Sequence, residues 1–595
     1  MPAPAAPTAV IRLSARPGGQ AQWRTFRDPV RVVQALTLAE VVPALREVEA
    51  ATQAGLHAVG LVAYEAAPAF EPALPVRETG AFPLVWFALF DGFTEEGPDA
   101  PGPFTVGAWT EDVTREAYAA AIAEIRGQIQ AGNTYQVNHT ARLHAAFAGD
   151  DRAWFAALSA AQPTPYGAYL NLGRWRVLSV SPELFFRLEG GVLTTRPMKG
   201  TTPRGRTEAE DREKAAWLPQ SVKNRAENVM IVDLLRNDLG RVAAFGSVQV
   251  TELCRVERLP TLLTMTSTVQ ARLRAGLGLT DVFAALFPCG SVTGAPKINT
   301  MRLIHALEPQ ARRVYCGAVG VVEPGGDAVF NVPIRTVLLD TQTGVAEYGA
   351  GGGITWDSEA GDEFAELQVK ARVLTVRPPT FELLETLRLE GGAFRHLPGH
   401  LARMAASARY FAFPWDEASV QAELGRAAAA YPAGVHRVRL RLAGDGAVTV
   451  QVLPLGENPP VVPAALARTP VDSGDVFLFH KTTHRAAYEA CAAEVPPGHE
   501  ALLTNERGEL TEFTTGNVVL RLDGRLVTPP VICGLLAGVE RADALARGQV
   551  KEQVLTPADL GRAAEVWHVN SLRGWRRAEL TLSPAAPARE SAAGS

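Results

Sequence analysis

Apolar positions along the chain follow two rhythms. A helical rhythm runs over 116–131 and stops at Gly132, and another over 208–239 forms one or two helices carrying Asn224, Glu227 and Asp233. Alternating or continuous apolar runs at 174–180, 184–195, 242–252, 314–322, 328–339 and 345–349 predict strands. A further helical pattern from Glu363 to Leu374 runs into Arg377-Pro378-Pro379-Thr380, where paired prolines stop a helix. Alternation restarts at Phe381-Glu382-Leu383-Leu384. Segments 434–442 and 447–453 predict a hairpin with Arg437, Arg439 and Arg441 on one face. The mixed order of strands and helices predicts an α+β fold with antiparallel sheets.

The proline pair divides the chain. One domain is expected over 1–376, with an N-terminal region at about 1–105 and a core at about 110–375; residues 377–380 form a linker. A second domain is expected over 381–582, followed by an Ala/Ser-rich disordered tail at 583–595. A chain of 595 residues is too long for one hydrophobic core. With 47% hydrophobic and 20% charged residues it reads as globular, and a net charge of −5 without a long basic run argues against nucleic-acid or anionic-membrane partners. Cys254, Cys289, Cys316, Cys491 and Cys533 are scattered and form no Cys-x-x-Cys pair, which fits a reducing cytoplasm rather than a disulfide framework or a zinc site. The start, Met1-Pro2-Ala3-Pro4, has no secretion-signal pattern, and apolar runs such as Phe82 to Phe90 are too short to cross a bilayer.

Candidate chemistry concentrates in a few runs. Lys199 lies in Arg196-Pro197-Met198-Lys199-Gly200-Thr201-Thr202-Pro203, sixteen residues after Glu183. An amine is nucleophilic only when neutral, and a carboxyl donates a proton near neutrality only when its pKa is raised. The runs Gly290 to Lys297, Tyr315 to Gly320 and Gly349 to Ile354 are glycine-rich and permit close backbone approach to an anion. Arg335 ends an apolar run and suits either a ligand carboxylate or a structural ion pair. Glu363 and Glu366 share a helix face; they suit Mg²⁺ held jointly with an anionic substrate, or a solvated face with Glu366 paired to Lys370.

Together these runs, with Gly132-Asn133-Thr134-Tyr135-Gln136-Val137-Asn138, the Arg225-to-Leu239 run, Thr293-Gly294-Ala295-Pro296-Lys297 and Gly351-Gly352-Gly353-Ile354, resemble the chorismate-binding family over roughly 110–375. That family includes anthranilate, aminodeoxychorismate, isochorismate and salicylate synthases. The resemblance implies a sandwich of antiparallel sheets and helices. It implies Mg²⁺ on Glu227, Glu366 and Glu363, substrate contacts from Arg335, Gly317, Gly351, Gly200, Thr201, Thr293, Lys297 and Gln136, and Glu183 as the acid for the departing 4-hydroxyl. Gln136 stands where water-adding relatives carry a lysine base, which points to ammonia as nucleophile. Lys199 stands where anthranilate synthases usually carry alanine, and marks aminodeoxychorismate synthases. Thr264 replaces the histidine of pyruvate-eliminating relatives, and Asn224 an often acidic residue. No glutaminase domain is visible, and Cys289 reads as packing. Ammonia is therefore expected from solution or from a separate glutamine amidotransferase subunit.

The second part carries Lys481 in Phe479-His480-Lys481-Thr482-Thr483, Glu512 in Glu509-Leu510-Thr511-Glu512, the run Gly534 to Val539, Asn570-Ser571, and Arg403 after His400. A lysine, a carboxylate, an arginine and glycine or serine turns form a parts list for pyridoxal phosphate. In this order they resemble the fold-type-IV pyridoxal phosphate enzymes over roughly 381–575. The resemblance implies two subdomains and a possible homodimer through this domain. It makes Lys481 the cofactor-bonding amine and proton shuttle, Glu512 the partner of the pyridine nitrogen, and Arg403, Gly538, Val539 and Ser571 the phosphate contacts. The segment that relatives place before the Phe381 strand is mostly missing, so part of the small subdomain is expected to be trimmed or supplied by the first domain. Lyase and transaminase are not separated by these motifs. Their fusion to an aminating synthase leads to the expectation of a bifunctional enzyme that aminates chorismate and then eliminates pyruvate, giving 4-aminobenzoate for folate. The alternatives are an aminotransferase with another substrate, or an anthranilate synthase.

Overall fold

The computed structural model describes residues 8–14, 21–375 and 379–581. The expected tail and residues 377 and 378 of the expected linker lie outside these residues. The described residues form two compact units. One comprises the chain up to Pro203 together with Ala215 to the linker; the other comprises Arg204–Lys214 and the chain from Pro379 onward. The eleven-residue excursion is invisible to local periodicity, because side-chain contacts distant in sequence create it.

The first unit holds two ten-stranded sheets among its described residues, and every strand pairing in it is antiparallel. Their inner faces pack together. Ala9, Ile11, Leu170, Val177 and Leu338 from one sheet meet Val59, Leu61, Trp86, Val319 and Val321 from the other in one buried cluster. The alternation of strand His57–Val62 sends Val59 and Leu61 into this layer and Ala58 and Val62 to the opposite face. That opposite face is covered by helices Leu38–Gln53 and Leu279–Leu286, with Phe283 edge-on to Phe330 at 5.1 Å. Helices Arg115–Gln130 and Ala360–Ala371 cover the outer face of the first sheet through Ile122, Ile125 and Leu367.

Several predicted elements are redrawn. The run 184–195 is a hairpin, Leu184–Glu189 and Val192–Arg196, because Gly190 and Gly191 turn the chain at φ 55° and 75°. The run 328–339 is two strands, Ala328–Asn331 and Thr336–Asp340, broken at Pro333 and at Arg335, whose backbone is left-handed at φ 49°. The strand expected at 242–252 is Gln249–Arg258, beginning only after the turn at Gly246. The 208–239 region is two helices, Glu208–Trp217 and Val222–Gly240.

The second unit has two sheets. A four-stranded antiparallel sheet contains the predicted hairpin as Val435–Leu442 and Val448–Pro454, covered by helices Leu397–Phe411 and Glu417–Ala430. An eight-stranded sheet mixes antiparallel with parallel pairings, including Val461–Leu466 between Glu500–Thr504 and Gly574–Thr581. This is a two-subdomain arrangement, and together with the first unit it makes the chain α+β.

Candidate functional site

In the first unit strands Gln136–Gly149 and Val345–Ile354 pair so that Gly351 faces Thr140 and Gly353 faces Asn138. A side-chain carbon at Gly353 would lie 2.0 Å from Gln136 Nε2 and 3.4 Å from Lys199 Nζ. Glycine is therefore required there, and the amide and the amine converge on it. Gln136 is fully buried, yet neither of its side-chain polar atoms has a hydrogen-bond partner, and one carboxylate oxygen of buried Glu183 is in the same condition. Buried polar atoms left unpaired cost free energy unless a ligand meets them, which makes these two side chains candidates for ligand contact.

Burial pushes the Glu183 carboxyl above the usual glutamate range, against hydrogen bonding from Ser291 and Met198 and the nearby Lys199 charge. Strand Met198–Pro203 holds Lys199 and Gly200; Asn228 Nδ2 donates to the Lys199 carbonyl at 3.2 Å and Thr264 Oγ1 to the Gly200 carbonyl at 3.3 Å. Thr264 thus serves a backbone group. Gly200 needs its φ of 85°, and a side chain there would meet Met265.

Burial also raises Glu227 and Glu363, and neighbouring like charges add to both. Glu366 is lowered by Lys370, whose Nζ lies 2.7 Å from its Oε1 and also donates to the Gly351 carbonyl at 2.8 Å. Seen from Gly352, Glu363 Oε2 lies 3.2 Å and Glu366 Oε1 4.0 Å from a built side-chain carbon. Among the described residues no three acidic, His or Cys side chains are gathered closely enough to hold a metal alone. Oxygen-only donors, two of them with raised pKa values, nevertheless fit a hard cation that takes its remaining ligands from elsewhere.

Other expected contacts have other surroundings. Arg335 donates to Gln162 Oε1 at 2.5 Å, while burial lowers its pKa. Its left-handed backbone is the kind of strain that accumulates at functional sites. Gly317 abuts the Val62 carbonyl, where any side chain would clash at 2.3 Å, and Thr201 is exposed. Thr293 Oγ1 donates to Cys289 O at 3.1 Å within its own loop, and Lys297 Nζ is bonded to Asp238 Oδ2 of helix Val222–Gly240 at 3.1 Å and to Leu286 O at 3.2 Å, so both are engaged with protein groups. Buried Cys289 has its thiol pushed up to about 12 by desolvation, as expected of a packing residue.

In the second unit, burial and then Arg403 lower the Lys481 amine from 10.5 to about 8, so a useful fraction is neutral near pH 7.5. Arg403 forms a fork with Glu385, Nε to Oε1 at 2.8 Å and Nη2 to Oε2 at 2.7 Å, and its Nη1 donates to Ala537 O at 3.1 Å. His400 Nδ1 adds a 2.6 Å bond to the same carboxylate. Ala537 precedes Gly538, which caps helix Val539–Ala546 and could hold no side chain, since one would lie 1.9 Å from Asn517 Oδ1. Burial lifts Glu512 to about 7 despite bonds from Leu536 N at 2.9 Å, Tyr488 Oη at 2.7 Å and Asn517 Nδ2 at 3.1 Å. Ser571 is buried in the turn after strand Glu565–Asn570. A buried carboxylate of raised pKa, a half-buried amine of lowered pKa and a helix N-terminus capped by Gly538 fit the pyridinium, aldehyde and phosphate of pyridoxal phosphate.

Sequence reasoning assigned no role to Ser291, Glu385, His400, Tyr488 and Asn517, whereas the Glu366–Lys370 pair it offered as an alternative is present at 2.7 Å. Only Glu385 carried a signal: it interrupts Leu383, Leu387 and Leu389 on the buried face of one strand.

The family of chorismate binding enzymes matches residues 13–376, more than half of the chain. The chain belongs to the chorismate binding enzyme family. Residues 382–580 match the class IV amino-transferases, so this chorismate-binding chain carries a class IV domain as its second part. Its relatives include aminodeoxychorismate synthase component 1 of Salmonella typhimurium, 42% identical over 280 residues that cover 47% of this chain and 61% of the relative. Anthranilate synthase component 1 1 of Haloarcula marismortui is 38% identical over 277 residues, covering 46% and 56%. The chain thus spans less than two thirds of each of these curated relatives. The fold resembles that of anthranilate synthase component I from Streptococcus pneumoniae, with a TM-score of 0.50 and 25% identity over 63% of this chain and 93% of that one.

Lys481 and Glu512 predict opposite pH slopes in cofactor-free protein. Between pH 8 and 10.5 an unfolded chain holds the Lys481 proton that the native amine has released, so stability rises with pH, by at most on the order of 3 kcal/mol. Between about 4.5 and 7 native Glu512 keeps a proton that the unfolded chain has lost, so stability falls as pH rises. Denaturant titrations of wild type and Lys481→Met across both windows check this: the variant should lose the alkaline rise and keep the acidic fall. Identical alkaline slopes would contradict it.

Proposed function

We propose that the chain makes 4-aminobenzoate from chorismate, aminating the ring at the first site and eliminating pyruvate at the second. The observation that carries this reading is the convergence of Lys199 Nζ and the unpaired Gln136 amide on Gly353, in a chain whose second unit holds a lysine of lowered pKa, Lys481. The printed name of the Salmonella typhimurium relative supports the first half, and the class IV match supports the second.

At the first site the Lys199 amine adds to the substrate ring as Glu183, whose burial favours its protonated form, passes its proton to the departing 4-hydroxyl, which leaves as water. Ammonia then takes the 4-position and releases Lys199. Arg335 and the backbone at Gly317 and Gly351 would receive the enolpyruvyl carboxylate, and Gly200 with Thr201 the ring carboxylate. Glu227, Glu363 and Glu366 would hold Mg²⁺, which supplies positive charge against a substrate carboxylate. Ammonia would come from a separate amidotransferase subunit, in line with the "component 1" of the relative's name.

Pyridoxal phosphate at the second site would supply an electron sink. Lys481 would hold it, Glu512 would keep its ring nitrogen protonated, and Arg403, Gly538, Val539 and Ser571 would bind its phosphate. Lys481, its amine pKa lowered by burial, would take the proton from the ring carbon that bears the substrate's 4-amino group. Loss of pyruvate leaves the aromatic product. We place the reaction in a reducing cytoplasm; all five cysteines are free and buried, and no helix of the described residues is long and apolar enough to cross a membrane.

The test is product identification. Incubated with chorismate, ammonium, Mg²⁺ and pyridoxal phosphate, the protein should release 4-aminobenzoate and pyruvate, and chelation of Mg²⁺ should abolish this. Accumulation of the aminated intermediate would instead identify an aminotransferase partner, and 2-aminobenzoate would identify an anthranilate synthase.

A further inference from the structure

The segment Arg204–Lys214 leaves the first unit directly after the strand that carries Lys199 and is built into the second. Its attachment is made of buried, directional contacts. The Arg204 guanidinium lies over the Tyr410 ring at 4.4 Å and donates from Nη2 to the Tyr410 carbonyl at 2.9 Å. Asp211, almost wholly buried, receives Arg204 Nε at 2.7 Å and Gly205 N at 3.0 Å. Tyr410 Oη in turn donates to the Gly205 carbonyl at 2.7 Å. Gly205 admits no side chain, because a carbon there would lie 2.3 Å from Asp211 N.

The segment reaches both halves of the cofactor machinery. Tyr410 and Ser407 belong to helix Leu397–Phe411, which also carries Arg403 and His400; positions 403, 407 and 410 recur at helical spacing on one side of it. On the other side stands His480, the residue before Lys481. Its ring lies 4.4 Å from that of Tyr410, its Nε2–H donates to the Arg206 carbonyl at 3.0 Å, and its Nδ1 accepts from Ser407 Oγ at 2.9 Å. This pair of bonds fixes the neutral tautomer with the proton on Nε2. Arg206 also lies over Phe479 at 4.9 Å. Both the residue preceding Lys481 and the helix presenting Arg403 are therefore held by one borrowed strap.

We propose that Arg204–Lys214 is a positioning element of the second site, setting Lys481 through His480 and Arg403 through Tyr410, so that a class IV domain cut from this chain at the linker lacks a part it needs. The inference rests on the second unit binding pyridoxal phosphate. It differs from the reading above in naming which residues of the first domain's sequence the second site depends on.

The test uses the full chain and three substitutions outside the groups that touch cofactor. His480→Leu removes the bond to the Arg206 carbonyl, His480→Gln keeps an N–H donor for it, and Tyr410→Phe removes only the bond to Gly205. Binding of added pyridoxal phosphate is followed by fluorescence quenching, and the setting of the bound cofactor by its induced circular dichroism. His480→Leu and Tyr410→Phe should weaken binding roughly five- to fiftyfold and change the dichroism, and His480→Gln should restore both towards wild type. A merely structural role would lower the melting temperature while leaving the dichroic spectrum of saturated protein unchanged, and that result overturns the inference. So would His480→Leu binding as tightly as wild type. A wild-type chain that takes up no pyridoxal phosphate would overturn the parent reading with it.

Discussion

Lys481→Ala should abolish 4-aminobenzoate release, by roughly a thousandfold or more, while leaving chorismate amination intact. Lys481 is the amine with burial-depressed pKa in the second unit, placed where the fields of Arg403, Glu385 and Glu512 all act on it. Without it nothing in that site can both bond an aldehyde and take a proton from the ring carbon. The protein should lose its yellow colour on desalting, and the aminated intermediate should accumulate, detectable by mass. The intermediate should disappear again when a separate, active lyase is added. A variant that stays yellow and keeps releasing 4-aminobenzoate would remove Lys481 from its assigned role.

Lys199→Ala should produce the complementary loss. Amination should fall by roughly a hundred- to ten-thousandfold, while supplied aminated intermediate is still converted to 4-aminobenzoate. The structural basis is local. Lys199 Nζ lies 3.4 Å from the space above Gly353, with Gln136 and Glu183 contributing unpaired buried polar atoms around it. Trapping gives an independent check: intact-protein mass of wild type held with chorismate in the absence of ammonium should show a ring adduct absent from the variant. Equal loss of both activities in Lys199→Ala would undo the division into two sites. Conversion of chorismate at the wild-type rate would show that ammonia attacks without help from the lysine.

The amino-acid order was enough to bring out the helices at 115–130 and 360–371, the hairpin at 435–454 and the motif lysines and carboxylates. Each of these rests on local periodicity, a turn residue or a chemically unusual run. Strand ends were less legible, because glycine pairs and a left-handed arginine at 335 break runs whose apolar pattern continues through them. Tertiary structure alone decided which motif residues face one another. It turned Thr293 onto its own loop, tied Lys297 to Asp238 and brought Lys370 between Glu366 and Gly351. It also showed that Arg403 is braced by the buried carboxylate of Glu385. The division of the chain was likewise a tertiary matter. Paired prolines at 378 and 379 mark where the covalent path changes, but the return of Arg204–Lys214 to the second unit depends on Tyr410 and His480, about two hundred or more positions downstream. Periodicity reports the face that a residue turns to the core; it carries no record of the distant side chain that completes a hydrogen bond there.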